Sequence, residues 1–413
     1  MTGPLWGTLP DGWRIGQVKH TATVTLGKML QSKDSGGDVD APYMRAANVQ
    51  PDGVLALDDV NEMWFGKVEL EQLSIQAGDV VVVEGGQGGF GRAAYVDEDL
   101  LGWGFQNSIN RLRPIGNFDG RFIAFYLIAL RASGFIRAYA NVVSMPHLTA
   151  EKLARIPIPL PPLEKQRAIA GYLDRETARI DTLIEEQQRL IEMLRERRES
   201  AISSVLLSGL DDEAPRRSSG AALLGDIPSH WRMVPTRYLC TITTGSEDSG
   251  NATDDGAYPF YVRGREVLRI DHYSFDGEAV MTPGDGQGGT GKVFHYVNGK
   301  FEAHQRVYVF KDFTGISGWY FYYFLSTFLR PVALAGSNTV TMESLRRPLL
   351  ADFRVALPPL EEQHQIATYL DEQTARMDDL IAESERFIDL SRKRRAALIT
   401  AAVTGQVDVR EMA

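Results

Sequence analysis

One long segment occurs twice in this chain, and it constrains the fold more than any other feature. Residues 163–181 read LEKQRAIAGYLDRETARID and residues 360–378 read LEEQHQIATYLDEQTARMD, at an offset of 197. Twelve of these 19 positions are identical, and each copy follows a Pro-Pro pair. A repeat of this length predicts two equivalent modules related by an approximate symmetry, and it suggests a target that also has two parts.

Length and composition indicate a globular protein. A chain of 413 residues has room for two or three domains, and 44% hydrophobic with 24% charged residues is typical of soluble proteins. The N-terminus lacks the basic and apolar regions of an export signal, and the most apolar stretches are too short to span a bilayer. A single cysteine, Cys240, excludes an internal disulfide and a zinc cluster of several thiolates. We therefore expect a cytoplasmic protein.

The net charge of −10 argues mildly against nucleic acid as a partner, because phosphate binding usually requires a basic excess. Net charge does not fix the local field, however, and a basic face can coexist with an acidic one. The charge balance therefore leaves this question open.

The repeat divides the chain into two variable modules and two helical segments, and it predicts an α+β fold. The predicted segments are module 1 (residues 1–157), a first long helix (158–208), a linker (209–222), module 2 (223–354), a second long helix (355–405) and a tail (406–413). The modules repeat weakly: Trp13-Arg14 matches Trp231-Arg232, and Gly86–Arg92 matches Gly286–Lys292. The sequences between these anchors differ freely. A shared frame with different filling predicts two scaffolds of different specificity.

Both helical segments fit a heptad pattern, which predicts that they pair with each other. The apolar seam positions are Leu173, Ile180, Ile184, Ile191 and Leu194 in the first helix, and Leu370, Met377, Ile381, Ile388 and Leu398 in the second. Polar residues at matching seam positions, such as Arg198 and Arg395, fix register and orientation. An antiparallel intramolecular coiled coil would give a pseudo-twofold axis and a spacer of about 65–70 Å. A coiled coil between separate chains is the alternative.

The glycine-rich segments satisfy the pattern G-x-G-x-x-G, which raises the possibility of a nucleotide site. A dinucleotide site needs a helix after the glycines, whereas Ala93–Val96 and Val293–Val297 are typical of strands. The second copy nearly completes a Walker A motif, but Val293 stands where a hydroxyl residue is required. A tight loop is therefore favoured. The sequence contains neither a paired His/Cys metal motif nor a G-x-S-x-G element.

Side chains that are able to read DNA bases occur near these loops. Arginine and lysine can bind guanine, and asparagine and glutamine can bind adenine, in the major groove. The candidates are Arg45, Asn48, Gln87, Arg92, Gln106, Asn107, Asn110 and Arg111 in module 1, and Arg263, Arg265, Gln287, Lys292, His304, Gln305 and Arg306 in module 2. A solvated or structural role is the default for any single one of them.

The complete layout resembles the specificity subunit of type I restriction–modification enzymes. The resemblance rests on the doubled G-x-(L/I)-P-x-x-W openings, the doubled L-P-P-L-E-x-Q and Y-L-D-x-x-T-A-R segments, and the ending at Arg394–Val409. It implies that each module is a target-recognition domain for one half of an asymmetric, bipartite site in double-stranded DNA. It also implies that the helix pair sets the gap between the halves and docks two methylation subunits.

By this resemblance the chain is not an enzyme and binds no cofactor. S-adenosylmethionine would belong to the methylation subunits, which methylate adenine at N6, and a motor-nuclease subunit would be a further optional partner. Reading heads on one face of a duplex should lie about one helical turn, roughly 34–36 Å, apart. Two other classes stay open: a coiled-coil adaptor whose duplicated heads bind ligands other than DNA, and a nucleotide-dependent enzyme that uses the glycine loops.

Overall fold

The computed structural model describes residues 3–86, 89–140, 147–285, 290–335 and 344–409, which form two compact units. Unit 1 comprises Met1–Gln187 and Arg386–Ala413, and unit 2 comprises Gln188–Glu385. Each unit therefore contains one module together with a part of each long helix. The units divide the chain differently from the sequence segments because each module needs both helices to complete its core.

Short strands and a few helices build the modules. The strands of unit 1 are β1 (Arg14–Gln17), β2 (Ala22–Leu26), β3 (Val39–Met44), β4 (Asn61–Phe65), β5 (Val80–Val83), β6 (Ala93–Tyr95), β7 (Gly104–Phe105), β8 (Ile109–Pro114) and β9 (Pro157–Leu160). The strands of unit 2 are β10 (Arg216–Ser218), β11 (Asp226–Pro228), β12 (Arg232–Pro235), β13 (Thr241–Thr244), β14 (Tyr258–Tyr261), β15 (Val267–Ile270), β16 (Phe275–Pro283), β17 (His295–Ala303), β18 (Val307–Lys311) and β19 (Arg354–Leu357).

The α-helices are α1 (Lys67–Gln72), α2 (Gly120–Ala132), α3 (Phe135–Tyr139), α4 (Ala150–Ala154), α5 (Leu163–Ser208), α6 (Gly318–Ala335), α7 (Arg347–Asp352) and α8 (Leu360–Val403). Short 3-10 helices cover Val18–His20, Ala46–Asn48, Pro51–Gly53, Thr236–Tyr238 and Ser249–Asn251. The long helices α5 and α8 begin directly after the Pro-Pro pairs, and the carbonyls of Pro162 and Pro359 accept hydrogen bonds from the amides of Gln166 and Gln363 at 3.0 Å.

The two modules have the same strand order. Unit 1 has a four-stranded sheet, β2-β8-β5-β6, and a three-stranded sheet, β4-β3-β7. Unit 2 has one six-stranded sheet, β13-β18-β16-β17-β14-β15. The long strand β17 takes the places of both β6 and β7, and the pairs β3–β7 and β14–β17 are both parallel. The sheet of module 1 is thus the sheet of module 2 divided between β6 and β7.

A two-stranded antiparallel ribbon joins each module to its helix. Strand β1 pairs with β9 and strand β12 pairs with β19, so the segment after each repeated tryptophan lies beside the strand that precedes the long helix. The ribbon brings the two ends of each module together at the base of a long helix.

A repeated glutamine holds the start of each long helix against its module. The Oε1 atom of Gln166 accepts a hydrogen bond from the Asp119 amide at 2.9 Å, and that of Gln363 accepts one from the Ser317 amide at 2.8 Å. The Nε2 atoms donate to the carbonyls of Pro161 and Pro358 at 2.8 and 2.9 Å. Both glutamines are buried, so these bonds satisfy backbone groups that water cannot reach. This is the physical reason for the glutamine in L-E-x-Q.

Within each unit the two long helices run antiparallel. In unit 1 the core contains Leu173 from α5 together with Ile399 and Val403 from α8. In unit 2 it contains Leu206 from α5 together with Leu370 from α8. The start of one helix therefore packs beside the end of the other. The predicted fold class, two α/β modules each followed by a long helix of an antiparallel pair, is confirmed.

The same ion pair joins the helices in both units. Arg395 binds Asp181 in unit 1, and Arg198 binds Asp378 in unit 2, at positions that the offset of 197 relates. Among the apolar seam positions, the buried residues are Leu173, Ile180, Ile191, Leu370 and Ile388, and the half-buried ones are Ile184, Leu194, Met377, Ile381 and Leu398.

Candidate nucleic-acid interface

Four segments converge at the end of the sheet in each module. Three of them follow the first strand of the sheet, strand β3 or β14, and the central strand β5 or β16. The fourth is the turn that leads into β8 or β18. We call them loop cluster 1 (residues 27–31, 45–48, 84–86 and 106–108) and loop cluster 2 (residues 245–249, 262–265, 284–285 and 304–306). Most of the predicted base-reading residues lie in these two clusters.

Equivalent backbone hydrogen bonds hold the two loop clusters. Three of these bonds occur at the same positions of the fold in each module. The Gln106 amide donates to the Met44 carbonyl, and the His304 amide donates to the Tyr261 carbonyl, both at 2.9 Å. The Asn107 amide donates to the Lys28 carbonyl at 2.7 Å, and the Gln305 amide to the Glu247 carbonyl at 2.9 Å. The Glu84 amide donates to the Ser108 carbonyl, and the Gly284 amide to the Arg306 carbonyl, both at 2.8 Å. The frame that presents the side chains is therefore shared.

A glycine allows the closest approach in this frame. A Cβ atom on Gly27 would lie 2.3 Å from the carbonyl oxygen of Gln106, and one on Gly245 would lie 1.7 Å from that of Ala303. Neither distance is possible for a real side chain, so the segment after β2 or β13 can contact the turn only through glycine.

Loop cluster 1 is held mainly by contacts inside the chain. Arg45 is half-buried and its Nη2 donates to the exposed Asp59 carboxylate at 2.6 Å. Asn48 is buried, and its side chain bonds the Arg45 amide and the carbonyls of Ala56 and Asp59. All the polar atoms of Asn48 that could read a base are thus used to shape the loop.

Three more candidates of module 1 lie inside the fold. Asn110 is buried and donates to the Leu148 carbonyl at 2.9 Å. Arg111 is also buried, donates to the carbonyls of Gln72 and Ser74, and its pKa is lowered by burial. Arg92 is half-buried and lies 3.4 Å from the Val49 carbonyl. Asn48, Asn110 and Arg111 are buried and donate to carbonyls within the chain, so the fold does not present them to a DNA base.

The accessible part of loop cluster 1 combines polar and apolar groups. Gln106 and Asn107 are half-buried in the turn before β8. Beside them, Met29 and Leu30 are 75% and 58% exposed, which is unusual for large apolar side chains. Lys28 is mostly covered and forms an ion pair with Glu69 at 2.5 Å.

Loop cluster 2 presents charged side chains. Arg263, Gln305 and Arg306 are exposed, and both arginines lie beside Asp285. The Nη1 atom of Arg306 donates to Asp285 Oδ2 at 3.1 Å, and Nη1 of Arg263 lies 3.8 Å from Oδ1. One carboxylate therefore holds two guanidinium groups at the end of β16.

A buried histidine fixes the turn that carries Arg306. His304 is 3% exposed, and its Nδ1 accepts a hydrogen bond from the Arg306 amide at 3.0 Å. Burial lowers the pKa of His304, and the neighbouring Arg263 lowers it further, so the ring stays neutral at pH 7. Asp248, whose pKa the Gly250 amide lowers, lies 3.9 Å from His304 Nε2 and accepts from Gln305 at 3.3 Å.

The remaining candidates are placed as follows. Arg265 and Lys292 are exposed in module 2. Gln87 and Gln287 lie outside the residues that the structure describes. The base-reading role of the accessible candidates stays a prediction.

Sequence reasoning missed the acidic residues of loop cluster 2. A search for base-reading cations and amides does not select Asp248 or Asp285, although carboxylates can accept from cytosine N4 or orient arginines. The available signal was the repeat itself: Asp285 immediately precedes the second glycine segment, where Gly85 stands in the first.

The strands that follow the glycine segments are confirmed. β6 and β17 begin two and four residues after Gly91 and Gly291, so the helix that a dinucleotide site requires is missing from the described part of both modules. Among the described residues, no group of three or more His, Cys, Asp or Glu side chains has a geometry that could hold a metal ion. Within the same residues, none of the helices combines the length and apolarity needed to cross a bilayer.

Each long helix also carries an exposed apolar face. Residues 183, 190 and 193 of α5 lie on one side of that helix, because seven residues span two turns and ten span nearly three. Their equivalents at the offset of 197 lie on α8. The exposed side chains are Leu183, Leu190 and Met193 on α5, and Leu380, Phe387 and Leu390 on α8. The same apolar pattern is therefore presented twice.

Comparison with known proteins agrees with this layout. A family model described as "Type I restriction modification DNA specificity domain" matches residues 10–193 and 228–386. The chain is 31% identical to the EcoDI specificity subunit of a type I restriction enzyme from Escherichia coli over 183 residues, which are 44% of this chain and 40% of that protein. It is 23% identical to the MjaVIII specificity subunit from Methanocaldococcus jannaschii over 318 residues, 70% of each chain.

A solved structure gives the fold over nearly the full length. The structure described as "Structural basis underlying complex assembly and conformational transition of the type I R-M system" contains a chain that superposes with a TM-score of 0.75. The match covers 97% of this chain and 100% of the other at 18% identity.

Proposed function

Because this chain belongs to the family of type I restriction–modification specificity subunits, which recognise DNA targets, we propose that each of its modules reads one half of a bipartite, asymmetric DNA site. Loop cluster 1 reads one half and loop cluster 2 reads the other. The two halves have different sequences because the clusters carry different side chains.

One observation carries this proposal. The same backbone hydrogen bonds build both loop clusters, while equivalent positions hold Met29 in one and Asp248 in the other. A frame that is kept while its exposed side chains change is what two readers of unlike sequences require. Base edges are read by such side chains, whereas phosphate contacts set the register. Accessible candidates for base contacts are Arg45, Arg92, Gln106 and Asn107 in module 1, and Arg263, Arg265, Lys292, Gln305 and Arg306 in module 2.

The helix pair sets the gap between the half-sites and docks two methylation subunits. The duplicated apolar faces support this role: exposed Leu183, Leu190 and Met193 on α5 have counterparts on α8. Contiguous exposed apolar side chains mark protein interfaces. Two matching faces fit two copies of the same partner.

The methylation subunits carry out the chemistry. They transfer a methyl group from S-adenosylmethionine to adenine N6 after flipping the base out of the duplex. This chain supplies sequence selection and spacing, and a motor-nuclease subunit is a further partner that cleaves unmethylated DNA.

The acidic charge of −10 predicts how affinity is shared in the complex. The isolated chain should bind DNA weakly, and the complex should bind it strongly with a steep salt dependence, since the partners supply phosphate contacts. Equal affinities of the isolated chain and the complex would contradict this division.

Methylome sequencing tests the reading function. A host without other adenine methyltransferases should receive this chain and its methylation subunit, and a split motif with two unlike halves should appear. Replacement of residues 1–157 by module 1 of another family member should change one half and leave the other intact. A contiguous motif, or a change in both halves, would contradict the assignment of one half to each module.

Assembly tests the docking faces. The double variant Leu190→Glu, Met193→Glu should reduce the number of methylation subunits bound per chain from two to one in native mass spectrometry. Gln188→Glu is the control for added charge, because it places one negative charge, half of that in the double variant, at an exposed residue on the opposite side of α5. Full assembly of the double variant would place the docking surface elsewhere.

A further inference from the structure

We infer that Asp285 is a positioning residue for DNA reading by module 2: it orients Arg263 and Arg306 toward a guanine in the half-site of that module. This inference rests on the function proposed above and names a part of its chemistry. It assigns a role to a carboxylate that would repel DNA if it acted alone.

The geometry of the three side chains supports the assignment. Asp285 Oδ2 accepts from Arg306 Nη1 at 3.1 Å, and Oδ1 lies 3.8 Å from Arg263 Nη1. The Oδ1 atom is buried and accepts no hydrogen bond from the described residues. It is therefore available to Arg263 after a displacement of about 1 Å, since a charge-assisted hydrogen bond measures about 2.7–2.9 Å.

The two arginines keep their other donors accessible. Their side chains are 48% and 56% exposed, whereas that of Asp285 is 37% exposed. A guanidinium group has five N–H donors in a planar fork, so one donor can bind Asp285 while the others bind O6 and N7 of guanine. A long arginine side chain that is held in one orientation loses less conformational entropy when it binds.

The backbone around the carboxylate is also fixed. The Gly284 amide donates to the Arg306 carbonyl at 2.8 Å, and His304 accepts from the Arg306 amide. Asp285 and Arg306 are thereby tied to each other through main chain as well as side chain. Such a supported arrangement is what a selective contact needs, because a misplaced donor cannot distinguish one base from another.

The carboxylate also reduces unselective binding. Two arginines without Asp285 present two positive charges to any phosphate, and with it they present a net charge of one. Each phosphate contact contributes to affinity for every sequence and steepens the salt dependence. Asp285 therefore favours the guanine contact over phosphate contacts.

The experiment uses the complex of the full chain with its methylation subunits. First, the wild-type motif is obtained from the methylome, and the half read by module 2 should contain at least one G·C pair. Then competition binding measures the affinity for the motif, for duplexes with each base pair of that half replaced, and for an unrelated duplex. Asp285→Asn should reduce discrimination at that G·C pair by about tenfold to hundredfold and raise affinity for the unrelated duplex.

Two sets of variants separate positioning from charge and stability. Arg306→Lys should lose discrimination at the same pair, and adding Asp285→Asn to it should cause little further loss, since the two side chains act as a unit. Asp255→Asn removes the same charge from an exposed site of module 2 outside loop cluster 2, and it should leave discrimination unchanged.

Three results would overturn the role of Asp285. They are a module 2 half-site without a G·C pair, full discrimination by Asp285→Asn, and an equal loss for all duplexes together with a lower unfolding midpoint. Failure of the proposed function would look different, because the wild-type complex would then produce no split motif at all.

Discussion

In module 1 the ring of Phe65 lies beneath Lys28, whose Nζ is 5.6 Å from the ring centroid, and beside the bare backbone of Gly104. In module 2 the equivalent residues are His272, Glu247 and Glu302. The equivalence follows from the strand register, since Tyr43 pairs with Asn61 and Gly104 as Phe260 pairs with Leu268 and Glu302. His272 Nε2 lies 3.1 Å from Glu247 and 3.8 Å from the buried Glu302. Where module 1 has an aromatic ring beside a lysine and a glycine, module 2 thus has a histidine between two carboxylates.

A second pair of sites differs in the same manner beside the long helices. Asp174 accepts from Arg121 at 2.6 Å in unit 1, and its repeat counterpart Asp371 accepts from Trp319 at 2.6 Å and from Tyr323 in unit 2. A cavity of about 210 Å³ lies beside Arg121. The repeated aspartate accepts a hydrogen bond in both units, although the residue that donates it differs. The frame is therefore specified by a few backbone and helix contacts, and the positions between them are free to take on other chemistry.

The repeated tryptophans should separate the two units most clearly. Trp231 is 1% exposed and donates to Glu362 at 3.1 Å, whereas Trp13 is half-buried. Trp231→Ala should lower the free energy of unfolding by about 3–5 kcal/mol, and Trp13→Ala by about half of that. Urea denaturation of the full chain measures both values, with Trp→Phe at each position as the conservative control. Equal losses would show that the two openings are buried alike.

The helix-pairing arginines give the next difference. Arg395 is 7% exposed, its Nε lies 2.9 Å from Asp181, and its Nη2 donates to the Asp52 carbonyl at 3.0 Å. Arg198 is 35% exposed, its Nε lies 3.1 Å from Asp378 without forming a hydrogen bond, and its Nη2 donates to Asp378 at 3.4 Å. Arg395→Met should cost about 2–3 kcal/mol because it leaves Asp181 and a backbone carbonyl without a partner, and Arg198→Met should cost less than about 1 kcal/mol. Thermal and urea unfolding of both variants would test the order, and a larger loss for Arg198→Met would refute it.

The helices could be predicted from the sequence, whereas the accessible readers could only be predicted in part. Heptad periodicity is local, so the seam and the polar positions Arg198 and Arg395 within it follow from spacing, whereas the acidic partners of these arginines on the other helix do not. The exposure of a polar residue depends on which distant carbonyls it meets. Asn48 and Arg111 have side chains that are able to read bases, yet they donate to the carbonyls of Ala56 and Gln72 and to other carbonyls that sequence spacing does not reveal. Asp285 is the opposite case, because it is not a typical base-reading residue and its proposed role depends on two arginines that are 22 and 21 residues away along the chain.

The glycines of the shared frame should respond alike in the two modules. Gly27→Ala and Gly245→Ala each place a Cβ atom against a backbone carbonyl that cannot rotate away. Each substitution should cost about 1–3 kcal/mol, and each should weaken only the half-site of its own module in competition binding. Gly250→Ala is the control, since the nearest atom to its Cβ is 3.5 Å away. A loss at one glycine without a loss at the other would mean that the frames are not equivalent.

The smallest expected difference concerns pH and belongs to module 2. Burial lowers the pKa of His304 from its ordinary value of 6.5, and Arg263 adds to that shift. Well above pH 6.5 the ring is neutral in both the folded and the unfolded chain, so it makes no pH-dependent contribution there. Below pH 6.5 the unfolded chain binds a proton that the folded chain does not bind, and the free energy of unfolding falls as the pH decreases. His304→Asn removes this proton-binding group, while its amide oxygen can still accept a hydrogen bond from the Arg306 amide. The variant should therefore lose less stability than the wild type between pH 7 and pH 5.5 in urea titrations. If His304→Asn and the wild type lost stability in parallel, the buried ring would have to be protonated in the folded chain, and the turn that carries Arg306 would lack the neutral acceptor on which its orientation depends.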